Sequence, residues 1–513
     1  MFTKLHSLGT WALEGFVVTA EVDISGGLPQ FAIVGLPDSA VKEATDRVRS
    51  ALKNLGYTYP ASRITVNLAP ADIKKTGPVY DLPLLLGLLA ASEQISPLPA
   101  DCAFVGEVSL DGAVRGVRGV LPMALAAAEK GIRHLFLPAE NAAEAAVVEA
   151  LAVYPVRRAE EVIAHFKSEA HIAPQQMVPP GAAQTGPDVP DFADVHGQPE
   201  ARRAMEIAAA GAHNLVMVGP PGAGKSMLAK RLPGILPPME RDEAIETSKI
   251  YSVAGLLRGD ENGAALLAAR PFRSPHHSVS AAGLSGGGGQ PRPGEISLAH
   301  NGVLFLDELP EFKREALEIL RQPMEDGCVT VSRAAGSVTY PSRFMLVAAM
   351  NPCPCGYFGH PKRECRCLPT AIERYLQKVS GPLLDRIDLH VEVQAVEYRD
   401  ISAAKGGESS AAMRARVVAA RQYRKARQQG APPLPSAALE GQRLRDECPL
   451  TDRAAALLEK AFEKMGLSAR GYDKVLRVSR TIADLAESEV IDLPHVSEAV
   501  QYRNMDRKYW YTR

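Results

Sequence analysis

Eight consecutive residues, Gly219-Pro220-Pro221-Gly222-Ala223-Gly224-Lys225-Ser226, restrict this 513-residue chain more than any other stretch. They follow a short apolar run, Leu215 to Val218, and precede a helix-like segment, Met227 to Leu232. Strand, glycine-rich turn and helix in that order make a phosphate-binding loop. The glycines let the backbone curl until its N–H groups point inward, and the helix N-terminus behind them adds partial positive charge. In such a loop Lys225 reaches the β- and γ-phosphates, and the Ser226 hydroxyl ligates Mg²⁺.

A second motif narrows the chemistry. Val303 to Leu306 is an apolar run that ends in Asp307-Glu308. A buried parallel strand reads as a continuous apolar segment, and its C-terminal end is where α/β sheets present ligand-binding groups. There Asp307 holds Mg²⁺ through water, and Glu308 orients and polarises the attacking water. Together the two motifs predict nucleoside triphosphate hydrolysis, with ATP as the nucleotide, on an α/β core.

Composition sets the outer bounds. A chain of this length exceeds one ordinary core, so two to four domains are expected. Lys+Arg number 58 against 59 Asp+Glu, so binding to nucleic acid must use local patches rather than a global basic excess. The opening residues carry no signal-segment pattern, and the longest apolar run, Leu82 to Ala91, falls far short of the ~20 residues of a membrane span. Seven cysteines, four of them bunched, suit a reduced cytoplasm better than a disulfide framework.

Along the chain, residues 1–168 read as a mixed α/β domain. Strands are predicted at Val17–Val22, Phe31–Val34, Arg63–Asn67, Ala103–Val108 and His134–Leu137, and helices at Ser39–Leu55, Leu82–Ser92 and Ala124–Lys130. Residues 169–190 are a Pro/Gly/Gln/Ala linker. Residues 191–395 hold the nucleotide motifs, and 396–513 form a helical carboxy-terminal lid, helical throughout from Thr451 to Asn504. The span from Lys225 to Asp307 is far longer than the ~30 residues of a minimal βαβ unit, so it carries extra elements. Its middle is rich in glycine and proline. It reads either as a surface loop without order or as a projecting loop that carries Arg273, His276, His277 and Arg292 to a substrate. A hairpin follows, Val329 to Tyr340, with Arg333 near its tip. Asn351 ends a buried strand, Phe344 to Met350. It either positions the lytic water or caps a turn before Pro352. Arg386, at a helix-to-strand junction, either reaches a neighbour's γ-phosphate or pairs with Asp385 or Asp388.

Four segments carry a resemblance: Pro271-Phe272-Arg273-Ser274-Pro275-His276-His277, Pro293 to Gly302, Leu306-Asp307-Glu308-Leu309-Pro310-Glu311-Phe312 and Leu384-Asp385-Arg386-Ile387-Asp388. The chain resembles the ComM/YifB family of Mg-chelatase-like AAA+ ATPases over nearly its whole length. The resemblance implies a P-loop AAA+ core with a helical lid. It casts Asn351 as sensor 1, Arg386 as an arginine finger acting in trans, and Arg470 as the lid's sensor 2, with Arg477 as runner-up. It implies a homo-hexamer that migrates single-stranded or branched DNA during natural transformation or recombination, with recombination proteins as candidate partners. Arg333, Arg292 and Arg273 would then contact the DNA. A chelatase-type motor that remodels a protein partner is the alternative.

Gly106 to Gly112 and Lys75-Thr76-Gly77-Pro78 resemble the Lon protease domain, which uses a Ser–Lys dyad. Val79 stands at the serine position and Leu121 at the lysine position, and neither supports nucleophilic catalysis. Lys74 and Ser109 would need a rearranged site. The domain is therefore expected to be a non-proteolytic, Lon-like (S5-type) scaffold. Cys353, Cys355, Cys365 and Cys367 form a C-x-C…C-x-C array with Zn²⁺ as the candidate ion, His360 as a substitute ligand, and free thiols or redox switching as the other readings. Arg414, Arg416, Arg421, Arg424, Lys425 and Arg427 load one helix, which a solvated face explains as well as DNA does. Arg507 to Arg513 mixes cations with aromatics and suits either base stacking or a subunit anchor.

Overall fold

The computed structural model describes residues 1–176, 189–257, 266–288, 291–333, 336–395 and 407–503, with Met505 and Tyr509. They form two compact units, Met1–Ala183 with Arg241–Leu267, and Gln184–Glu240 with Ala268–Arg513. The sequence placed 241–267 inside the ATPase core and the lid apart from it. In the structure the first stretch is built into the amino-terminal unit, and the lid is one body with the core.

The first unit rests on a seven-stranded mixed sheet. Its strands are β1 Phe2–Trp11, β2 Glu14–Ser25, β3 Gln30–Val34, β4 Arg63–Ala69 and β5 Cys102–Phe104. After a small separate hairpin, β6 Glu107–Val108 and β7 Val114–Arg115, come β8 His134–Pro138 and β9 Ala152–Val156. The order is β3-β4-β2-β1-β5-β8-β9. The predicted strand Ala103–Val108 is split, because the chain leaves the sheet after Phe104. The helix Ser39–Asn54 starts where Asp38 accepts the Val41 N–H at 2.9 Å. The other Asp38 oxygen takes the Gly77 N–H at 3.1 Å and fixes the turn into Pro78. The helix Asp81–Ala91 has no polar face and is buried on every side.

The helix Val120–Glu129 packs on β2 and on the helix Arg241–Ala254. Its first amide groups find no partner inside the helix. Leu121 N–H donates to Glu144 at 2.9 Å and lies 3.4 Å from the Ser252 hydroxyl, while Gly119 N–H donates to the Ser252 carbonyl at 3.1 Å. The 241–267 stretch thus covers the end of the helix that holds Leu121.

The second unit is a five-stranded parallel sheet in the order β11-β14-β17-β10-β18. Here β10 is Leu215–Val218, β11 Phe272–Arg273, β14 Val303–Leu306, β17 Met345–Met350 and β18 Leu389–Glu392. Two hairpins leave the sheet, β12 Gly286–Gly287 with β13 Arg292–Pro293, and β15 Cys328–Arg333 with β16 Gly336–Pro341. Every residue of β10, β14 and β17 is buried, as expected of central parallel strands.

Lid helices span Ser410–Arg427, Gly441–Glu447, Asp452–Met465, Ala469–Leu485 and Leu493–Gln501. The stretch after Thr451 is therefore three helices with breaks at Gly466 and Ala486, not one continuous helical run. The arginine-loaded helix is no free cationic face. Arg421 and Arg424 donate to the carbonyls of Ala209 and Ala210, the last turn of the helix Pro199–Gly211. Arg414 donates to the Gly234 carbonyl, and Arg416 pairs with Glu206 and Glu408. Cations on orphan carbonyls at a helix C-terminus satisfy both its hydrogen bonds and its dipole.

Candidate nucleotide site

Register brings the site together. Val218 pairs with Met350 and Leu306 with Ala348, so Gly219, Asp307 and Asn351 all emerge at the C-terminal edge of the sheet. Gly224 has φ +87°, a left-handed turn that glycine adopts at little cost, and the helix Lys225–Arg231 begins directly after it. A cleft of about 380 Å³ is lined by Pro221 to Met227, Asp307, Glu308, Met350 and Asn351.

Inside it Lys225 Nζ donates to the Gly219 carbonyl at 2.8 Å, the Pro220 carbonyl at 3.0 Å and Asn351 Oδ1 at 3.1 Å. Ser226 Oγ donates to Asp307 Oδ2 at 2.5 Å, and the other Asp307 oxygen accepts the Glu308 N–H at 3.0 Å. Burial pulls the Lys225 ammonium down to about 8, against the opposing pull of Asp307 and Glu308. Glu308 sits in the left-handed region with φ +53°, which costs a non-glycine residue about 1–2 kcal/mol. A hydroxyl and a carboxylate at bonding distance suit a hard cation with oxygen ligands. A lysine that spends its donors on loop carbonyls is ready to exchange them for phosphate oxygens.

The candidate substrate loop divides. Arg273 lies on edge strand β11 and forms a two-pronged pair with Glu295 at 2.7 and 2.8 Å, so it is committed inside the fold rather than carried on a projecting loop. His277 turns inward, with Nδ1 3.3 Å from Glu308 Oε2. Arg292 is exposed on β13. The two hairpins are tied to each other, since the buried Tyr340 hydroxyl donates to the Pro291 carbonyl at 2.9 Å. Arg333 ends β15 opposite Gly336, and its side chain lies outside the described residues.

Arg386 and Arg470 do not line the cleft of their own chain. Both reach Glu325, Arg386 in a close hydrogen-bonded pair and Arg470 at 3.9 Å. Arg386, bonded to Glu325, holds that carboxyl below its usual range. Neither Asp385 nor Asp388 pairs with Arg386 through an ion pair. Its backbone is fastened instead, with the Arg386 carbonyl accepting from Asn214 Nδ2 at 3.2 Å and the Ile387 carbonyl from Lys474 at 3.0 Å and Arg503 at 2.9 Å. Arg477 faces the lid interior and donates to the Leu439 carbonyl at 2.7 Å. Sequence alone does not show His277 as a partner of Glu308, Glu325 as the shared acceptor, or the Asn214, Lys474 and Arg503 donors. The position of Asn214 directly before the loop strand was the one available signal.

Residues 191–401 match the family model described as magnesium chelatase, subunit ChlI. Residues 20–141 match subunit ChlI of Mg-chelatase, and 407–503 match the C-terminal region of the same subunit. Competence protein ComM of Haemophilus influenzae is 45% identical over 507 residues, covering 98% of this chain and 97% of that protein. The uncharacterized protein YifB of Salmonella typhimurium is 44% identical over 507 residues, with the same coverage of both chains. The chain belongs to the ComM/YifB family of Mg-chelatase-like AAA+ ATPases. A Lon protease 1 from Hydrogenovibrio crunogenus is 29% identical over 171 residues, 31% of this chain and 21% of that protein.

ATP and Mg²⁺ are the ligands that membership in the ComM/YifB family implies, and the donor set around Lys225, Ser226 and Asp307 fits both. In the Lon-like unit Val79 and Leu121 are buried, and Lys74 is exposed. Ser109 Oγ bonds Asp111 and the Ala113 carbonyl. No helix among the described residues is long and apolar enough to cross a membrane.

The four cysteines of the array converge. All four Sγ atoms lie within 4.8 Å of one another, with Cys353 3.4 Å from Cys355 and both 3.6 Å from Cys365. The Tyr357 N–H, with that of Arg366, pulls the Cys355 thiol down to about 6. His360 spends Nδ1 on the N–H groups of Lys362 and Arg363 and stays outside the cluster. Most of the aromatic tail lies outside the described residues. Its Tyr509 is buried and bonds Glu392 at 3.2 Å.

Proposed function

We propose that this protein is an ATP-hydrolysing ring motor that acts on DNA, a helicase promoting branch migration in natural transformation and homologous recombination. The convergence of Lys225, Ser226, Asp307, Glu308 and Asn351 on one cleft carries the ATPase part of the reading. Lys225 and the loop from Gly219 to Ser226 bind the triphosphate, and Ser226 with Asp307 holds Mg²⁺, which would neutralise charge developing on the phosphate. Glu308 takes the proton of the attacking water while Asn351 orients it. Because Arg386 lies outside this cleft, it acts on the nucleotide of an adjacent subunit in a homo-hexamer, while Arg470 serves as the lid's sensor 2. The tied hairpins carrying Arg292 and Arg333 face the substrate, whereas Arg273 serves by holding Glu295. The Lon-like unit is a scaffold without protease activity, and the four cysteines hold zinc.

The test is steady-state ATPase activity with and without four-way or forked DNA, together with strand displacement. Stimulation and unwinding are expected. A rate indifferent to DNA at low salt removes the DNA reading. The magnesium-chelatase match over the core would then favour remodelling of a protein partner by the same hairpins.

A further inference from the structure

The cysteine knuckle is not a remote ornament of the fold. It begins two residues after Asn351, whose side chain meets Lys225 at 3.1 Å. Its first turn closes through the Gly356 N–H on the Cys353 carbonyl at 2.9 Å. Gly356 then rests on the phosphate loop itself. A Cβ added there would stand 2.4 Å from Cδ and 2.7 Å from Cγ of Pro221. The same residue has φ +81°, so side chain and backbone both call for glycine where knuckle meets loop.

The sulfur geometry points to one bound ion. Four ligands at the ~2.3 Å of a zinc–sulfur bond span a tetrahedron with edges of about 3.8 Å. The sulfur separations of 3.4, 3.6 and 3.6 Å are close to that edge. A disulfide would need ~2.05 Å. An iron–sulfur cluster would hold its thiolate pairs further apart on separate irons. Two C-x-C turns joined by a loop also give four ligands with no open position, the mark of a structural rather than a catalytic site.

We propose that Cys353, Cys355, Cys365 and Cys367 bind one zinc ion and that this ion, through Gly356 against Pro221, sets the shape of the phosphate loop, so that zinc occupancy governs nucleotide affinity. The inference rests on the reading of the Lys225 cleft as the ATP site. Without the ion, four thiols lose their common centre and the turn at Gly356 loses its anchor. Pro221 then loses the surface that holds the loop open around the phosphates.

Two measurements on the full-length protein test this, zinc content by elemental analysis and affinity for a fluorescent ATP analogue. Purified protein should hold about one zinc per chain, as a closed four-thiolate site requires. Stripping it with a thiol reagent and a chelator, or the pair Cys355→Ser and Cys367→Ser, should weaken nucleotide binding at least about tenfold, ~1.4 kcal/mol. Returning zinc to the stripped wild type should restore it. Gly356→Ala is the second arm, because it keeps all four thiols. It should retain zinc and still lose affinity, which separates coupling from unfolding of the cysteine variants. Purified protein free of zinc with full affinity overturns the metal site. Zinc at full occupancy, with unchanged affinity in both the stripped protein and Gly356→Ala, overturns the coupling and leaves the ATP reading intact. Failure of the zinc-loaded wild type to bind nucleotide overturns the ATP reading itself.

Discussion

Lys474 brackets Arg386. Its buried ammonium donates to the carbonyls on both sides of the arginine, those of Asp385 and Ile387. Burial pulls it down to about 7, with Asp388 at 3.9 Å pulling the other way. A buried cation bonded to backbone holds that backbone in one shape. One turn earlier on the same helix stands Arg470, so a single element fixes both arginines that meet Glu325.

Replacing the bracket is therefore expected to act on turnover. Lys474→Met leaves buried carbonyls short of a donor, at a cost of about 1–3 kcal/mol. It should lower the kcat of ATP hydrolysis several-fold with little change in KM, and Lys474→Arg should recover part of the loss. Steady-state kinetics beside a thermal melt decides the matter. A lower Tm with an unchanged kcat would confine Lys474 to stability.

Nucleotide affinity should depend on pH. In the free protein burial holds the Lys225 ammonium near 8, below its ordinary 10.5. Phosphate oxygens favour the charged form and raise it again on binding. The bound state then holds more protons than the free state once pH exceeds about 8, so affinity falls as pH rises through that window. Below about 8 both states are protonated, and this group contributes no slope. Titrations of a fluorescent analogue from pH 7 to 9.5 in the presence of Mg²⁺ check it, and a flat profile would deny Lys225 its phosphate.

Ground-state and catalytic roles should separate by mutation. Lys225→Ala is expected to lose nucleotide binding, whereas Glu308→Gln should bind ATP and hydrolyse it at least about a hundredfold more slowly, as loss of a general base predicts. Arg386→Ala should also bind without turnover. Mixing it with Glu308→Gln subunits should restore some hydrolysis at hybrid interfaces, and full activity in Arg386→Ala alone would refute action across an interface.

DNA affinity should come from few cations repeated around a ring, since the chain carries a net charge of −1. Arg292→Ala and Arg333→Ala should cut DNA-stimulated ATPase far more than the basal rate, and binding should weaken steeply with salt. Arg273→Ala should instead lower stability, because it strands Glu295. A DNA-binding defect in Arg273→Ala at unchanged Tm would reverse that division of labour.

Much of the nucleotide site could be read in the chain because its strands are buried on both faces. Runs such as Val303 to Leu306 need no partner to declare themselves, and the residue after each run is the one presented at the sheet edge. Strand β1 escaped notice for the opposite reason. Its buried face includes Ser7, and Gly9 packs where the Tyr80 hydroxyl and Phe16 leave no room for a side chain, so the alternation of a half-buried strand is broken. The arginine-rich helix shows another limit. Sequence marks its charge but not that Arg421 and Arg424 end on carbonyls some two hundred residues away. Arg273 is similar, because its acceptor Glu295 is close only once β11 lies beside β14. Even the C-x-C pairs specify two turns and leave their meeting to the fold.

The excursion of residues 241–267 into the first unit sets an order of biosynthesis. A nascent chain that has emerged as far as residue 190 holds all seven strands of the first sheet, yet Ser252 is still to be made. The amide of Gly119 then has no acceptor from that stretch. The amino-terminal unit is completed only after the phosphate loop has been translated. Cutting the polypeptide between 169 and 190 therefore does not release a finished domain. A fragment ending there should resist protease less than the same residues in the whole chain, and supplying 241–267 as a separate peptide is the natural way to complete it.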